Sequence, residues 1–181
     1  MRVFVAGSSN PRLEKKYTEG IDKIAEFLLS QNLSIMCTGT NVGAIGEFYN
    51  YYLNNNGRIH FLVADAYKDE AEGLAYNTTT SVASLYELQQ IALHDSILTI
   101  ILPGGNGTLA ELYMLTDNIK TKFDTDPIII YNCNGFYDSI KKMNDFMLKC
   151  GAMEQFQHDY FQFCNTPEDV ITAIKRTLNI L

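Results

Sequence analysis

The chain has 181 residues, a length that favours one domain with a single well-buried core. Hydrophobic residues make up 46% and charged residues 19% of the sequence, proportions typical of a globular protein rather than a disordered or fibrous one. The formal net charge of −7 at pH 7 argues against a nucleic-acid backbone as partner. No apolar run is long enough to predict a membrane span.

The amino-terminal segment predicts a cytoplasmic protein. Residues 2–6 indicate a first strand, and the turn Gly7-Ser8-Ser9-Asn10 follows too early for the apolar core of a signal peptide. The cysteines and histidines of the chain show no metal-ligand spacing. We therefore expect no metal and no cofactor.

Strands and helices then alternate along the chain. Apolar residues at helical spacing predict a helix over 17–31, which is followed by a strand at 33–37, a second helix over 45–53 and a strand at 59–64. An acidic stretch from Asp65 to Thr80 gives no clear boundaries. A short helix over 85–92 precedes the most apolar strand of the chain, at 97–102.

The carboxyl-terminal half continues the alternation. A helix begins near Gly107 and is predicted to run to about Lys122, and a strand follows at 127–131. A helix over 136–147 and a weak strand at 161–163 come next. Thr166 and Pro167 then predict the capped start of a last helix that runs to about Leu178.

Alternating helices and continuously apolar strands are typical of a parallel sheet covered on both faces. We therefore predict a single α/β domain over residues 1–181, with a doubly wound, Rossmann-like parallel sheet and helices on both faces. Ligands of such sheets bind beyond the carboxyl ends of the strands. Turns that contain glycine lie at this edge at residues 7–10 (the first turn), 38–43 (the second turn) and 104–108 (the central turn), and we expect them to converge on one ligand.

The turn at 104–108 is the strongest candidate for a binding site. Glycine lets a ligand approach the backbone closely, and the helix that begins near Gly107 directs unpaired N–H groups and its positive dipole end into the same space. A phosphate fits such a place. No Gly-Lys-Ser/Thr sequence follows the glycines, so a triphosphate site is not expected. Asn106 and Thr108 offer further donors, and Glu111 lies one turn into the helix.

The segment Pro103-Gly104-Gly105-Asn106-Gly107-Thr108-Leu109-Ala110-Glu111 resembles the PGGxGTxxE signature of the Lonely Guy family, whose members are often mislabelled as lysine decarboxylases. Gly7-Ser8-Ser9, the turn from Thr38 to Gly46 and Gly135-Phe136-Tyr137-Asp138 are similar to other elements of the family, in the same order. Family members are cytokinin riboside 5'-monophosphate phosphoribohydrolases or close relatives, and they are typically homodimers.

The glycine turns and the resemblance together give a set of candidate site residues. Glu111 and Glu87 would be catalytic. The residues that would bind phosphate or nucleotide are Gly7, Ser8, Ser9, Arg12, Gly39, Thr40, Gly43, Gly104, Gly105, Asn106, Gly107 and Thr108. The partner would be a nucleoside monophosphate or a related phosphorylated small molecule, with the phosphate at residues 104–108, the ribose near Glu111 and the base between the first two turns.

One departure from the family leaves two functions open. Family enzymes carry Glu-Arg-Lys on the helix that precedes the strand at 97–102, and these positions fall on Glu87, Leu88 and Gln89. Both cations are lost, and Arg12 is a speculative substitute. The chain is then either a divergent phosphoribohydrolase, acting on the family's substrate or on a different one, or an inactive protein that binds a nucleotide or carries a phosphorylated cofactor. A cation near the central turn would favour the enzyme, and an apolar wall at Leu88 would favour the binding protein.

Overall fold

The protein is represented by a computed structural model that describes residues 1–119 and 128–180. Strands and helices alternate along these residues. The strands are β1 (Arg2–Ala6), β2 (Ser34–Cys37), β3 (Ile59–Ala64), β4 (Thr78–Val82), β5 (Thr99–Ile101), β6 (Ile128–Tyr131) and β7 (Phe161–Cys164). The helices are α1 (Ile21–Ser30), α2 (Gly43–Asn54), α3 (Leu85–Asp95), α4 (Asn106–Ile119), α5 (Asp138–Lys149), α6 (Gln155–Asp159) and α7 (Pro167–Thr177).

The described strands form one parallel sheet in the order β4-β3-β2-β1-β5-β6-β7. The chain builds outward from β1 to β4 on one side and then returns to place β5 on the other side of β1. In the register between these two strands, Phe4 pairs with Thr99 and Ala6 with Ile101. The strand order therefore reverses between β1 and β5, and a crevice opens at such a switch point.

Both faces of the sheet are covered, because successive side chains of a strand point to opposite faces. On one face, Val3 and Val5 of β1 pack into a core with side chains of α1, α2 and α7. On the other face, Phe4 and Ala6 pack with side chains of α3 and α4. The prediction of a doubly wound, Rossmann-like α/β fold is confirmed.

The region from Asp65 to Thr80 contains an element that the sequence does not reveal. Residues Asp65–Ala71 form 3₁₀ turns, and β4 follows at the edge of the sheet. Its sequence, Thr-Thr-Thr-Ser-Val, is polar because most of an edge strand is open to water; only Val82 is buried. β-branched threonine still favours the extended backbone.

The predicted helices are present with shifted boundaries. Helix α1 begins at Ile21 rather than Tyr17, because Gly20 adopts a left-handed conformation with φ of 75° in front of it. Helix α7 begins as predicted: Thr166 and Asp169 form a reciprocal capping box, and Pro167 occupies the first turn. The predicted helix end near Lys122 and the predicted strand start at Pro127 lie outside the described residues. Across residues 1–119 and 128–180, no helix is both long and apolar enough to cross a bilayer.

Candidate active site

A cavity of about 320 Å³ lies at the carboxyl edge of the sheet, beside the switch point between β1 and β5. This volume lies at the lower end of the range for small-molecule sites. The first, second and central turns all contribute to its lining, together with the end of β3, segment 65–71, α3 and α4. Its lining residues are Gly7, Ser8, Ser9, Asn10, Thr38, Gly39, Leu62, Val63, Ala64, Tyr67, Glu70, Leu85, Leu88, Gln89, Gly105, Gly107, Thr108, Ala110, Glu111 and Met114.

Tyr137 forms a hydrogen bond to the backbone just before the central turn. Its hydroxyl donates a hydrogen bond of 2.7 Å to the carbonyl oxygen of Leu102, the residue that precedes Pro103, and the ring is 1% exposed. Burial raises the pKa of Tyr137 above its usual value, a hydrogen bond with the backbone of Gly104 opposes this rise, and the charge of Glu111 adds to it. The hydroxyl therefore lies where the strand end, the turn and Glu111 meet.

We expect Tyr137→Phe to lower the free energy of unfolding by about 1–2 kcal/mol, because it removes the buried hydrogen bond to the Leu102 carbonyl. The variant should also bind ligand more weakly, because loss of this hydrogen bond lets the central turn shift. Tyr131→Phe is the matched control: its buried hydroxyl donates to the Glu19 carbonyl at 2.6 Å, away from the cavity. Urea unfolding and ligand titration of both variants check this. Equal effects on binding would contradict a specific role for Tyr137.

Two glycine turns pack directly on each other beside the central turn. The amide of Ile45 donates to the carbonyl oxygen of Ser8 at 3.2 Å. Gly43 has a φ of +68°, and a Cβ at this position would lie 2.2 Å from the same carbonyl oxygen. The central turn joins this contact, since the amide of Ser8 donates to the carbonyl oxygen of Pro103 at 3.0 Å. Backbone contacts thus fix the three turns relative to each other.

Helix α4 begins at the mouth of the cavity. In its first described backbone hydrogen bond, the amide of Leu109 donates to the carbonyl oxygen of Gly105 at 3.0 Å. The amides of Asn106, Gly107 and Thr108 precede this bond and, as the first amides of a helix, have no partner within it. A Cβ built on Gly105 or Gly107 would meet nothing within 4 Å. An anion can therefore approach this helix end without a side chain in the way.

Glu111 lines the cavity from the next turn of α4 and is partly buried. Loss of hydration on burial disfavours the carboxylate and raises the pKa of Glu111 to about 7. A carboxyl group with such a pKa changes its charge near neutral pH, as the acid–base groups of active sites often do.

Helix α3 contributes a part of the cavity wall that carries no charge. Leu85, Leu88 and Gln89 line the cavity from this helix, and Leu88 and Gln89 are each 1% exposed. Among the described lining residues, Glu70 and Glu111 carry the only ionisable carboxylates, and none is a lysine, arginine or histidine. Within this described lining, positive potential therefore comes from the α4 dipole and not from a side chain.

The structure separates the predicted site residues into two groups. The first group lines the cavity: Gly7, Ser8, Ser9, Gly39, Gly105, Gly107, Thr108 and Glu111. The second group is not part of the described lining: Arg12, Thr40, Gly43, Glu87, Gly104 and Asn106. Gly43 and Gly104 belong to the turns but serve close packing, since a Cβ on Gly104 would lie 2.1 Å from Thr108 Oγ1.

Two members of the second group have other contacts. The carboxylate of Glu87 accepts a hydrogen bond of 3.0 Å from the amide of Ala83, and Ser84 Oγ accepts one from the Glu87 amide. Glu87 thus caps the start of α3. Arg12 is exposed, and its backbone amide donates to Asn10 Oδ1 at 2.9 Å. Its side chain does not supply the missing cation to the described cavity lining.

Sequence reasoning did not identify Tyr67 and Glu70 as cavity residues. Both come from segment 65–71, which passes over the second turn so closely that a Cβ on Gly39 would lie 2.2 Å from Ala71 Cβ. The spacing of Tyr67 and Glu70, three residues apart on a 3₁₀ turn, is the one local signal that places them on the same side.

Comparison with known sequences gives curated relatives. The chain is 22% identical over 174 residues to a cytokinin riboside 5'-monophosphate phosphoribohydrolase of Arabidopsis thaliana, covering 96% of this chain and 75% of that one. It is 25% identical over 176 residues to a probable enzyme of the same name from Oryza sativa subsp. japonica, covering 96% and 70%.

Among solved structures, the molybdenum cofactor carrier protein of Chlamydomonas reinhardtii matches with a TM-score of 0.69 at 13% identity, covering 98% of both chains. The molybdenum cofactor binding protein of Rippkaea orientalis matches with a TM-score of 0.68 at 14% identity, covering 98% of this chain and 95% of that one. These likenesses show a shared fold.

The family model described as "Possible lysine decarboxylase" matches residues 53–174, a range that includes segment 65–71, α3, the central turn and Glu111. Together with the phosphoribohydrolase relatives, this match confirms the resemblance carried by the glycine motif. The chain belongs to the Lonely Guy, or lysine decarboxylase-like, family as a divergent member.

Proposed function

We propose that this protein is a phosphoribohydrolase that cleaves the N-glycosidic bond of a nucleoside 5'-monophosphate, giving the free base and ribose 5-phosphate. Glu111 carries this proposal: it is a partly buried carboxyl group with a pKa raised to about 7, one turn beyond a helix N-terminus that is open to an anion. The curated relatives with this activity support it.

The cavity offers a distinct environment for each part of such a ligand. The phosphate would accept hydrogen bonds from the free amides of residues 106–108, and Ser8, Ser9 and Thr108 offer further donors. The ribose would lie beside Glu111. The apolar residues Leu62, Val63, Leu85 and Leu88 line the side between the second turn and α3, and we place the base against them.

Hydrolysis of this bond needs little from a protein beyond charge and position. Water adds its hydroxyl to the anomeric carbon of the ribose, the glycosidic C–N electron pair passes to the base, and the remaining proton of the water ends on the base. Positive charge develops on the sugar ring during this step, and an ionised carboxylate beside it lowers the barrier. Glu111 in its ionised form would stabilise that charge or position the water.

The test is release of free base by the purified protein from a panel of nucleoside 5'-monophosphates that includes an N6-modified adenosine monophosphate. Release from at least one of them, lost in Glu111→Gln, is the expected result. Saturable binding of a monophosphate without release from any of the panel would contradict the enzymatic proposal.

Gly107→Ala tests the place of the phosphate. Since a Cβ at this position meets nothing and alanine favours helix more than glycine, the variant should be more stable by up to about 1 kcal/mol. It should nevertheless bind a nucleoside monophosphate about 10-fold or more weakly, because the new methyl group occupies the approach to the helix end. Calorimetric titration with the monophosphate and with the matching nucleoside checks this. An equal loss for both ligands would contradict a phosphate site here.

The second candidate function is binding or carriage of a nucleotide or phosphorylated cofactor without turnover. The apolar side chain of Leu88 in the cavity wall and the lack of a cation among the described lining residues favour it. Both functions use the same site. A cytoplasmic homodimer with one nucleotide-binding domain over residues 1–181 remains our prediction for either case.

A further inference from the structure

Gln89 is the polar residue of the otherwise apolar α3 wall, beside Leu85 and Leu88. Its side chain lines the cavity but is only 1% exposed, and its Oε1 atom has no hydrogen-bond partner in the structure. A second buried amide with an unpartnered atom, Asn144 Nδ2, lies on α5 and does not belong to the described cavity lining. Among the described lining residues, Gln89 therefore carries the buried carbonyl oxygen that has no hydrogen-bond partner.

An unpartnered buried carbonyl oxygen is costly. The protein loses the hydration of the amide without gaining a hydrogen bond, whereas an apolar residue of the same shape would avoid this cost. Leucine occupies the preceding cavity position on the same helix, so an apolar wall is compatible with the local packing. Oε1 itself exposes less than 1 Å² to water, so a ligand reaches it only after the terminal amide of Gln89 rotates toward the cavity that the residue lines. A ligand that then donates a hydrogen bond to Gln89 would satisfy the atom.

The position of Gln89 indicates which part of the ligand it meets. Phosphate carries acceptors, and in the arrangement proposed above it lies at the start of α4, while the α3 wall faces the base. A glutamine amide offers one acceptor and one donor side by side, which matches the amino group and adjacent ring nitrogen of an adenine-type base.

We propose that Gln89 determines base specificity, by accepting a hydrogen bond from an exocyclic N–H of the base and donating one to the neighbouring ring nitrogen. This proposal rests on the proposed nucleotide site but holds for turnover and for binding alone. It predicts that the preferred ligand carries a base with an exocyclic amine, substituted or free, at this edge.

The first arm of the test compares adenosine 5'-monophosphate with purine riboside 5'-monophosphate, which lacks the exocyclic amine. Dissociation constants are measured for the protein and for Gln89→Met, both in the Glu111→Gln background so that turnover is suppressed. We expect the protein to bind the amine-bearing ligand about 10-fold more tightly, and Gln89→Met to bind both ligands equally.

The second arm measures thermal unfolding without ligand. Gln89→Met replaces the unpartnered carbonyl with an apolar side chain of similar shape, and we expect its midpoint to rise by about 2–4 °C. Asn144→Leu is the control, because Asn144 Oδ1 accepts a hydrogen bond from the Tyr113 hydroxyl at 3.2 Å. Its midpoint should fall, and its preference for the amine-bearing ligand should be unchanged.

The outcomes separate this proposal from the function on which it rests. Equal affinity of the protein for the two ligands, or a preference that survives in Gln89→Met, overturns the role of Gln89 while the nucleotide site stands. A lower midpoint for Gln89→Met also overturns it, since the amide would then be satisfied within the protein. If neither nucleotide binds and no panel member is cleaved, the proposed function fails as well.

Discussion

Replacing Glu111 with glutamine is expected to abolish base release while it makes the protein more stable at alkaline pH. The amide keeps the shape of the side chain but cannot ionise, so it cannot stabilise positive charge on the ribose. Loss of a positioned carboxylate of this kind reduces rates by a factor of about 10²–10⁴. In the unsubstituted protein, the rate should rise as Glu111 ionises, with a midpoint near its raised pKa of about 7.

The effect of Glu111→Gln on stability depends on pH, with a definite sign. Glu111 has a raised pKa in the folded protein, so between its ordinary value of 4.5 and about 7 the unfolded chain ionises while the folded protein holds the proton. Stability from this group is therefore lost as pH rises through that window. Glutamine does not ionise, so the variant avoids this loss. Its free energy of unfolding should exceed that of the unsubstituted protein by on the order of 3 kcal/mol at pH 8 and by less than about 1 kcal/mol at pH 5.

Urea unfolding at the two pH values measures this difference. Glu47→Gln serves as the control, because Glu47 is an exposed carboxylate on α2 that does not line the cavity. Its stability and base release should match those of the unsubstituted protein. A Glu111→Gln variant that is less stable at pH 8 would contradict the burial argument, and one with unchanged base release would contradict its catalytic role.

The largest loss of stability is expected from Gly43→Ala. An alanine here must adopt a left-handed backbone with φ of +68°, and its Cβ would lie 2.2 Å from the Ser8 carbonyl oxygen and 2.9 Å from the Asn10 amide nitrogen. Neither of these backbone groups can move without disturbing the first turn. We expect a loss of about 3–5 kcal/mol in the free energy of unfolding, and weaker ligand binding in the fraction that folds.

Gly73→Ala separates the cost of the left-handed backbone from the cost of the contact between the added Cβ and the first turn. Gly73 has a similar φ of +76°, but a Cβ on it would meet nothing within 4 Å. This variant should lose only the backbone contribution, about 1–2 kcal/mol, and the difference between the two variants measures the cost of forcing a Cβ between the first two turns. Chemical denaturation gives both values, and equal losses would contradict a tight contact between these turns.

Much of the fold could be predicted from the periodicity of apolar residues, and the two elements that could not each have a physical reason. Strands β1, β2, β3, β5 and β6 are buried on both faces, so their sequences are continuous apolar runs that can be recognised without a structure. The edge strand β4 has the polar sequence Thr-Thr-Thr-Ser, which shows no such run. Helix α6 has only five residues, too few for a periodic pattern.

Part of the candidate site could likewise be predicted from the sequence, and part could not. The turns that contain glycine are local features, and the rule that ligands bind at the carboxyl edge of a parallel sheet brings them together. Contacts between distant segments cannot be read from local patterns. The capping of α3 by Glu87, and the approach of segment 65–71 that brings Glu70 to the cavity, are of this kind.

Three substitutions at this site are expected to stabilise the protein while they impair it: Glu111→Gln, Gly107→Ala and Gln89→Met. Each removes a feature that the fold alone does not need, namely a buried carboxyl group, a glycine within a helix and an unpartnered amide. Residues kept at a cost in stability are expected at functional sites. Residues with a purely structural role would give the opposite sign.

The position of β1 in the middle of the sheet also has a consequence for how the protein folds. Within this sheet, strand β1 is made before all the other described strands, yet its partner on one side, β5, follows only after three further strands and three helices. Contacts between residues so far apart in sequence form slowly, because a long loop must close first. The cavity needs both strand ends, so ligand binding would report the pairing of β1 with β5, and a ligand added during refolding would favour this pairing over intermediates that lack it.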